Sequence, residues 1–248
     1  MLRVSALNAG YGSLQVLWDV HLEVGSGELV ALVGPNGAGK TTLLNLISGR
    51  YRPDGGQIVF NGQVLQRFDP VSMFRMGIGR SFQLTNIFRG LTVVENVAAA
   101  LLARSARWDW LRYWWEHRQM MEEAMAILEK VGLASKAGML ASALSHGEQR
   151  HLEIALVLAG RPKLLLLDEP TAGMVSAEAA RTMELVRALV EKDRVTVVFT
   201  EHDMRVVFSM AHRVTVMHQG RVIAEGTPSE IRQDERVRKA YLGSELNA

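Results

Sequence analysis

Hydrophobic positions along the chain follow two rhythms. Glu28 to Val33, Lys163 to Leu167 and Val195 to Thr200 are short, almost continuously apolar runs. Runs of that kind read as strands buried on both faces, the habit of a parallel sheet. Thr41 to Ser48 reads as a helix directly after the first run, and Gly147 to Leu158 as a second helix. Near the end, Arg213 to His218 and Arg221 to Ala224 flank Gln219-Gly220, which predicts a hairpin. Between about Thr92 and Gly160 the strand signals stop and the spacing becomes helical. The pattern predicts an α/β fold with a largely parallel sheet. Residues 1–91 and 161–248 form its core, and 92–160 form a helical insertion.

Several helix starts are written in the sequence. Thr92-Val93-Val94-Glu95 and Thr227-Pro228-Ser229-Glu230 are capping boxes, the second with proline at the first helical position. Asp69-Pro70 is a similar cap.

Composition removes several classes of function. The chain has 248 residues, 48% hydrophobic and 22% charged, the balance of a soluble globular protein. A formal charge of +2 is too small to argue for nucleic acid, and none is expected as a partner. With no cysteine, neither a disulfide scaffold nor a thiolate metal site can form. The N-terminus lacks the apolar core of a signal peptide. The most apolar stretches, such as Val97 to Ala103, are far shorter than the roughly 20 residues of a membrane span. If the protein serves a membrane, another polypeptide crosses it.

Four motifs carry the chemistry. GPNGAGKTT, Gly34 to Thr42, sits between a strand and a helix, the context a phosphate-binding loop requires. Gly34, Gly37 and Gly39 let backbone N–H groups converge on phosphate oxygens, with Asn36 inside the same loop. Lys40 is expected to reach the terminal phosphates, Thr41 to ligate Mg²⁺, and Thr42 to lie near the α-phosphate. LLLLDEP, Leu164 to Pro170, is a buried strand ending in two acids. Asp168 fits the Mg²⁺-side acid of phosphate-loop enzymes, and Glu169 is placed to orient or deprotonate water. LSHGEQ, Leu144 to Gln149, precedes a helix, so Ser145 and Gly147 offer donors to an anion. Read alone it is an ordinary helix cap; its place ahead of LLLLDEP makes it a site. In TEHD, Thr200 to Asp203, His202 follows a buried strand where an imidazole can reach a γ-phosphate.

Together these motifs resemble the ATPase domain of ATP-binding cassette (ABC) transporters, and the likeness runs over essentially the whole chain. It implies a RecA-like phosphate-loop core with an antiparallel β subdomain and a helical subdomain. It also implies ATP and Mg²⁺ as cofactors, and a dimer, because Ser145 and Gly147 would contact the ATP held by the partner's loop. Gln83, in RSFQ, falls where the family places its Q-loop glutamine, which joins the catalytic and metal-binding set. Tyr11 falls where an aromatic residue stacks on adenine; the alternative is a tyrosine packed in the core at a strand end. The chain departs from the family pattern at His146 and Glu148 in the signature and at Val175, where many members carry Asp.

Finer wording is similar to one branch, the ATPases of branched-chain (hydrophobic) amino-acid importers: GRSFQLTNIFRGLTVVENV, LSHGEQR, DEPTAGM, TEHDM and AYLG. ATPases for urea or short amides, and those of lipopolysaccharide export, share much of it. The resemblance implies a second ATPase subunit, identical or not, and two transmembrane permease subunits docked around Gln83 to Leu91. A substrate-binding protein would be an indirect partner, and the chain would sit peripherally on the cytoplasmic face of the inner membrane. A soluble ABC protein of translation or DNA repair usually has two cassettes or long coiled-coil insertions, which this chain lacks. The stretch Arg104 to Met121 holds Trp108, Trp110, Trp114 and Trp115. Helical spacing splits them between two sides, so some are expected at the surface beside Arg104, Arg107, Arg112 and Arg118, as a supporting contact surface; the alternative is that the rings cap the helical subdomain's own core.

Overall fold

The computed structural model describes residues 1–65, 69–81, 87–104 and 113–241. Its strands are β1 (Leu2–Tyr11), β2 (Leu14–Val24), β3 (Leu29–Val33), β4 (Gly55–Phe60), β5 (Gln63–Val64) and β6 (Ile78–Ser81), then β7 (Leu164–Asp168), β8 (Thr196–Thr200), β9 (Arg213–His218) and β10 (Arg221–Gly226). The helices are α1 (Lys40–Ile47), α2 (Pro70–Met76), α3 (Val93–Arg104), α4 (Tyr113–Lys130) and α5 (His146–Leu158), then α6 (Ser176–Glu191), α7 (Met204–Met210), α8 (Pro228–Gln233) and α9 (Glu235–Tyr241).

Two sheets form. One is antiparallel, in the order β2-β1-β4-β5; the other runs β10-β9-β3-β8-β7-β6 and is parallel except for the β9–β10 hairpin. That hairpin turns where the sequence puts it, with Gln219 and Gly220 both at positive φ, 48° and 76°. Two successive positive φ values are what a type I′ turn needs. All three helix caps are present. Thr92 and Glu95 bond reciprocally, as do Thr227 and Glu230, and Asp69 accepts from Ser72 N–H at 2.8 Å.

The continuous apolar runs are explained by their two faces. On β3, Leu29, Ala31 and Val33 join one core cluster with helices α3 to α6. Val30 and Leu32 join another with α1 and the antiparallel sheet. Each residue is fully buried, so no polar alternation survives. Such burial supplies about 1.5–3 kcal/mol per large aliphatic side chain.

Between β6 and β7 the described elements are helical, apart from one bridge between Thr92 and Leu140. Strand β6 has no apolar run to announce it. Its glycine at position 79 lies under α5, where a Cβ would stand 2.4 Å from Val157 Cγ1.

Arg104 corrects an expectation. It is half-buried rather than part of an open arginine face, gripping the Glu123 carboxylate at 3.0 and 3.1 Å and the Ala159 carbonyl at 2.8 Å. Arg118 is exposed and pairs with Glu122 one turn on. Trp108, Trp110, Arg107 and Arg112 lie outside the described residues, as do the side chains of Trp114 and Trp115.

Candidate nucleotide-binding and catalytic site

Parallel register fixes where the motifs meet. Thr200 pairs with Leu32 on one side and with Asp168 on the other. The carboxyl ends of β3, β7 and β8 therefore lie along one edge of the sheet, where open α/β sheets place their ligands.

The loop 34–39 leaves β3 and enters α1, with Gly39 as N-cap. Gly34 is buried at φ 151°, and a Cβ there would stand 2.1 Å from the Met217 carbonyl oxygen of β9. The strand can turn this tightly only without a side chain. Asn36, Gly37 and Thr41 are exposed at the loop and helix start, and Thr42 is buried. The Lys40 amine donates to the carbonyls of Gly34 at 2.5 Å and Pro35 at 3.1 Å. Burial lowers its pKa, and the carboxylates of Glu169 and Asp168 offset that in part. This is the setting of an ammonium group that gains from an anion at the loop mouth.

Asp168 is buried at the end of β7. Its Oδ1 accepts from the Thr200 hydroxyl at 2.8 Å and its Oδ2 from Arg80 Nη2 at 3.0 Å. Glu169, next in the chain, stands at φ 50°, a left-handed backbone uncommon for glutamate. Its amide donates to Thr200 Oγ1 at 3.0 Å. Arg150 of α5 donates to the Asp168 and Glu169 carbonyls at 2.9 and 3.0 Å. Main-chain clamps on both sides thus hold the bend, and the bend turns the Glu169 carboxylate toward His202. Their Oε1 and Nε2 atoms are 2.7 Å apart. Behind them, Glu201 accepts from the Thr171 amide and hydroxyl at 3.0 and 2.6 Å, fixing the two loops to each other.

No group of three or more metal-ligand candidates gathers among the described residues. Thr41 and Asp168 are a donor set too small for a protein cage. It fits a hard cation such as Mg²⁺, which takes one or two protein oxygens and fills its shell with phosphate and water.

Tyr11 ends β1 and is 43% exposed, so it is not a core residue. Its ring meets Tyr51 edge to face, centroids 5.2 Å apart, and its hydroxyl lies 3.4 Å from Thr42 Oγ1. Ser145 is the N-cap of α5, which begins at His146, one residue before the position expected. Gly147 is therefore in the first turn, buried beside the Glu178 carboxylate of α6. Glu148, a departure from the family pattern, completes a capping box with Ser145 and pairs with Lys136. The ion pair with Lys136 holds its carboxyl below the usual range. Val175, the departure outside the signature, occupies the N-cap of α6, is 67% exposed and offers no side-chain acceptor to the helix. Gln83 lies outside the described residues.

Arg80, Arg150, Thr200 and Glu201 each touch the site, yet the motifs gave none of them a role. Arg80 opens RSFQ, Arg150 directly follows LSHGEQ, and Thr200 and Glu201 stand inside TEHD beside His202. Asn96 is a further omission. Fully buried, it accepts from Phe88 N–H at 2.8 Å and donates to the Phe88 carbonyl at 3.0 Å, shaping the loop before α3.

Comparison with known proteins agrees with this geometry. The family profile described as ABC transporter matches residues 17–172, and that described as branched-chain amino acid ATP-binding cassette transporter matches residues 221–246. The high-affinity branched-chain amino acid transport ATP-binding protein LivG of Escherichia coli (strain K12) is 38% identical over 98% of both chains. The lipopolysaccharide export system ATP-binding protein LptB of Haemophilus influenzae is 36% identical over 99% of this chain and 98% of its own. An ATP-binding cassette solved as a dimer in a post-hydrolysis state with ADP and Pi has a TM-score of 0.77 and 28% identity, covering 92% of this chain and 99% of its own. With its phosphate loop, its paired acids and its histidine on one sheet edge, the chain belongs to the ABC transporter family, as an ATP-binding, ATP-hydrolysing cassette.

Proposed function

We propose that the chain is the ATPase subunit of a branched-chain amino-acid importer, closing with a second cassette around two ATP and Mg²⁺. The hydrolytic part rests chiefly on the 2.7 Å contact between Glu169 and His202 beside the Lys40 loop. Backbone amides of residues 34–39 and the α1 N-terminus cradle the phosphates, and Lys40 leaves the Gly34 and Pro35 carbonyls for the β- and γ-phosphates. Thr41 and Asp168 would hold Mg²⁺, which would supply neutralisation of the charge that develops on the phosphates. Glu169 accepts the proton of the attacking water, and His202 keeps that carboxylate oriented and faces the γ-phosphate.

Ser145 and Gly147 serve the partner's nucleotide rather than their own. The Ser145 hydrogen bonds are local, to the amide and carboxylate of Glu148, which leaves the start of α5 facing outward. Gln83 couples the site to the permeases. Exposed Phe88 and Leu91, beside exposed Leu140 and Met139 brought close by the Thr92–Leu140 bridge, give two transmembrane subunits an apolar surface to dock on. No helix among the described residues is long and apolar enough to cross a membrane; a peripheral place at the cytoplasmic face is supported by the likeness to transporter ATP-binding proteins.

The cargo follows from the C-terminal match at 221–246 and from LivG, and an external substrate-binding protein would deliver it. Deleting the gene in its host and following uptake of labelled leucine tests this. Loss of leucine uptake, restored by the wild type but not by Glu169→Gln, is expected. Intact leucine uptake with lost urea uptake, or with defective lipopolysaccharide export, would replace the cargo and keep the ATPase.

A further inference from the structure

Nothing in the hydrolytic scheme uses Arg80, yet it is among the most constrained side chains of the site. It projects from β6, the strand beside β7, and is buried along with Asp168. Nη2 donates to Asp168 Oδ2 at 3.0 Å, and Nη1 to Asn45 Oδ1 at 2.6 Å and Ser48 Oγ at 3.1 Å. Asn45 lies in α1 and Ser48 caps its end, so one guanidinium ties the Asp168 strand to the helix that starts at Lys40. Its Nε is buried with no partner among the described residues. A buried cation with an unsatisfied N–H is expensive, and a hydrophobic filler would pack this space more cheaply.

The electrostatic consequence concerns Asp168. Both of its oxygens are engaged, one by the Thr200 hydroxyl and the other by a full positive charge. A buried carboxylate without such a partner draws a divalent cation strongly, because the ion relieves its unpaired charge. A guanidinium already in contact removes that gain and adds repulsion between the two cations.

We propose that Arg80 is a positioning residue acting as an internal counter-cation to Asp168, and that it weakens the dependence of nucleotide binding on divalent metal. The inference rests on the reading of the site as a Mg²⁺-nucleotide site. Arg80 keeps the Asp168 carboxylate oriented and charge-balanced whether or not a cation is present, and ties α1 to β7.

The test is the ADP affinity of the full chain by titration calorimetry, in EDTA and in excess Mg²⁺, with melting temperatures under the same conditions. The ratio of the two dissociation constants should rise about tenfold or more in Arg80→Met, because Mg²⁺ then supplies the missing counter-charge. Arg80→Lys restores the charge without the fork and should return the ratio toward the wild-type value. Should Arg80→Met not fold, Arg80→Gln carries the same expectation. A purely packing role would lower the melting temperature of these variants and leave the ratio where it was, which overturns the proposal. A wild-type chain that binds no ADP would instead overturn the nucleotide reading, and this inference with it.

Discussion

His202 Nε2 lies 2.7 Å from Glu169 Oε1, although the two residues follow different strands, β8 and β7, and stand 33 positions apart. A carboxylate only accepts, so the Nε2–H of the imidazole is the donor. Glu169→Gln should spare ATP binding and slow hydrolysis by roughly 10²-fold or more, as loss of a general base does. His202→Ala should act on the same step. The double variant should then be little slower than the worse single one, since both changes break one unit. Multiplying losses in a steady-state ATPase assay would separate the two roles.

Lys40→Ala should nearly abolish hydrolysis and severely weaken ATP binding, because the proposed site would lose the cation meant for the terminal phosphates. Calorimetric binding near the wild-type value would take Lys40 out of the site.

Ser145→Arg should leave nucleotide binding by the single chain intact and block closure of the dimer. Size exclusion of the Glu169→Gln protein in Mg-ATP, with and without the second change, reads this directly. A dimer that persists in the double variant would show that α5 does not complete a neighbour's site.

Tyr11→Ala should weaken ATP several-fold, for a stacking contribution of about 0.5–1.5 kcal/mol. Tyr11→Phe should cost little, since the hydroxyl makes only a 3.4 Å contact with Thr42. Equal losses in both variants would shift the role from the ring to that hydroxyl.

His151 gives the fold a pH dependence of its own. On α5, its Nδ1–H donates to the Val131 carbonyl at 3.1 Å and its Nε2 is 3.0 Å from the Thr182 hydroxyl of α6. Burial pushes its pKa below the ordinary 6.5, so the neutral ring is the native form. Below pH 6.5 the unfolded chain binds this proton more readily than the folded one, so stability falls as pH falls until the folded ring also titrates. The melting temperature should therefore drop on acidification from about pH 6.5. His151→Gln should flatten that part of the curve, and an unchanged slope would count against this assignment.

The site was legible where chemistry and local backbone coincide. GPNGAGKTT needs glycines for its turn and a lysine for its phosphates within one short stretch, so all are read together. Continuous apolar runs announced β3, β7 and β8, and Gln219-Gly220 announced the hairpin. The capping boxes at Thr92 and Thr227 could be read because both partners lie within one helical turn.

Sequence alone thus determined the fold class, the nucleotide loop, the two acids and the histidine, since each depends on neighbours a few residues away. Tertiary structure alone decided what surrounds them. It set the left-handed bend at Glu169, the Arg150 clamp on its backbone, the Arg80 charge on Asp168 and the Asn96 support under Phe88. The clamp and the charge come from segments 19 and 88 positions away, joined only when the strands pair and α5 packs across them. Asn96 is nearer in sequence, but its amide finds Phe88 only after α3 forms and the loop folds back. No local pattern marks such partners, because what selects an arginine at position 80 is the buried carboxylate beside it in space and not its neighbours in the chain.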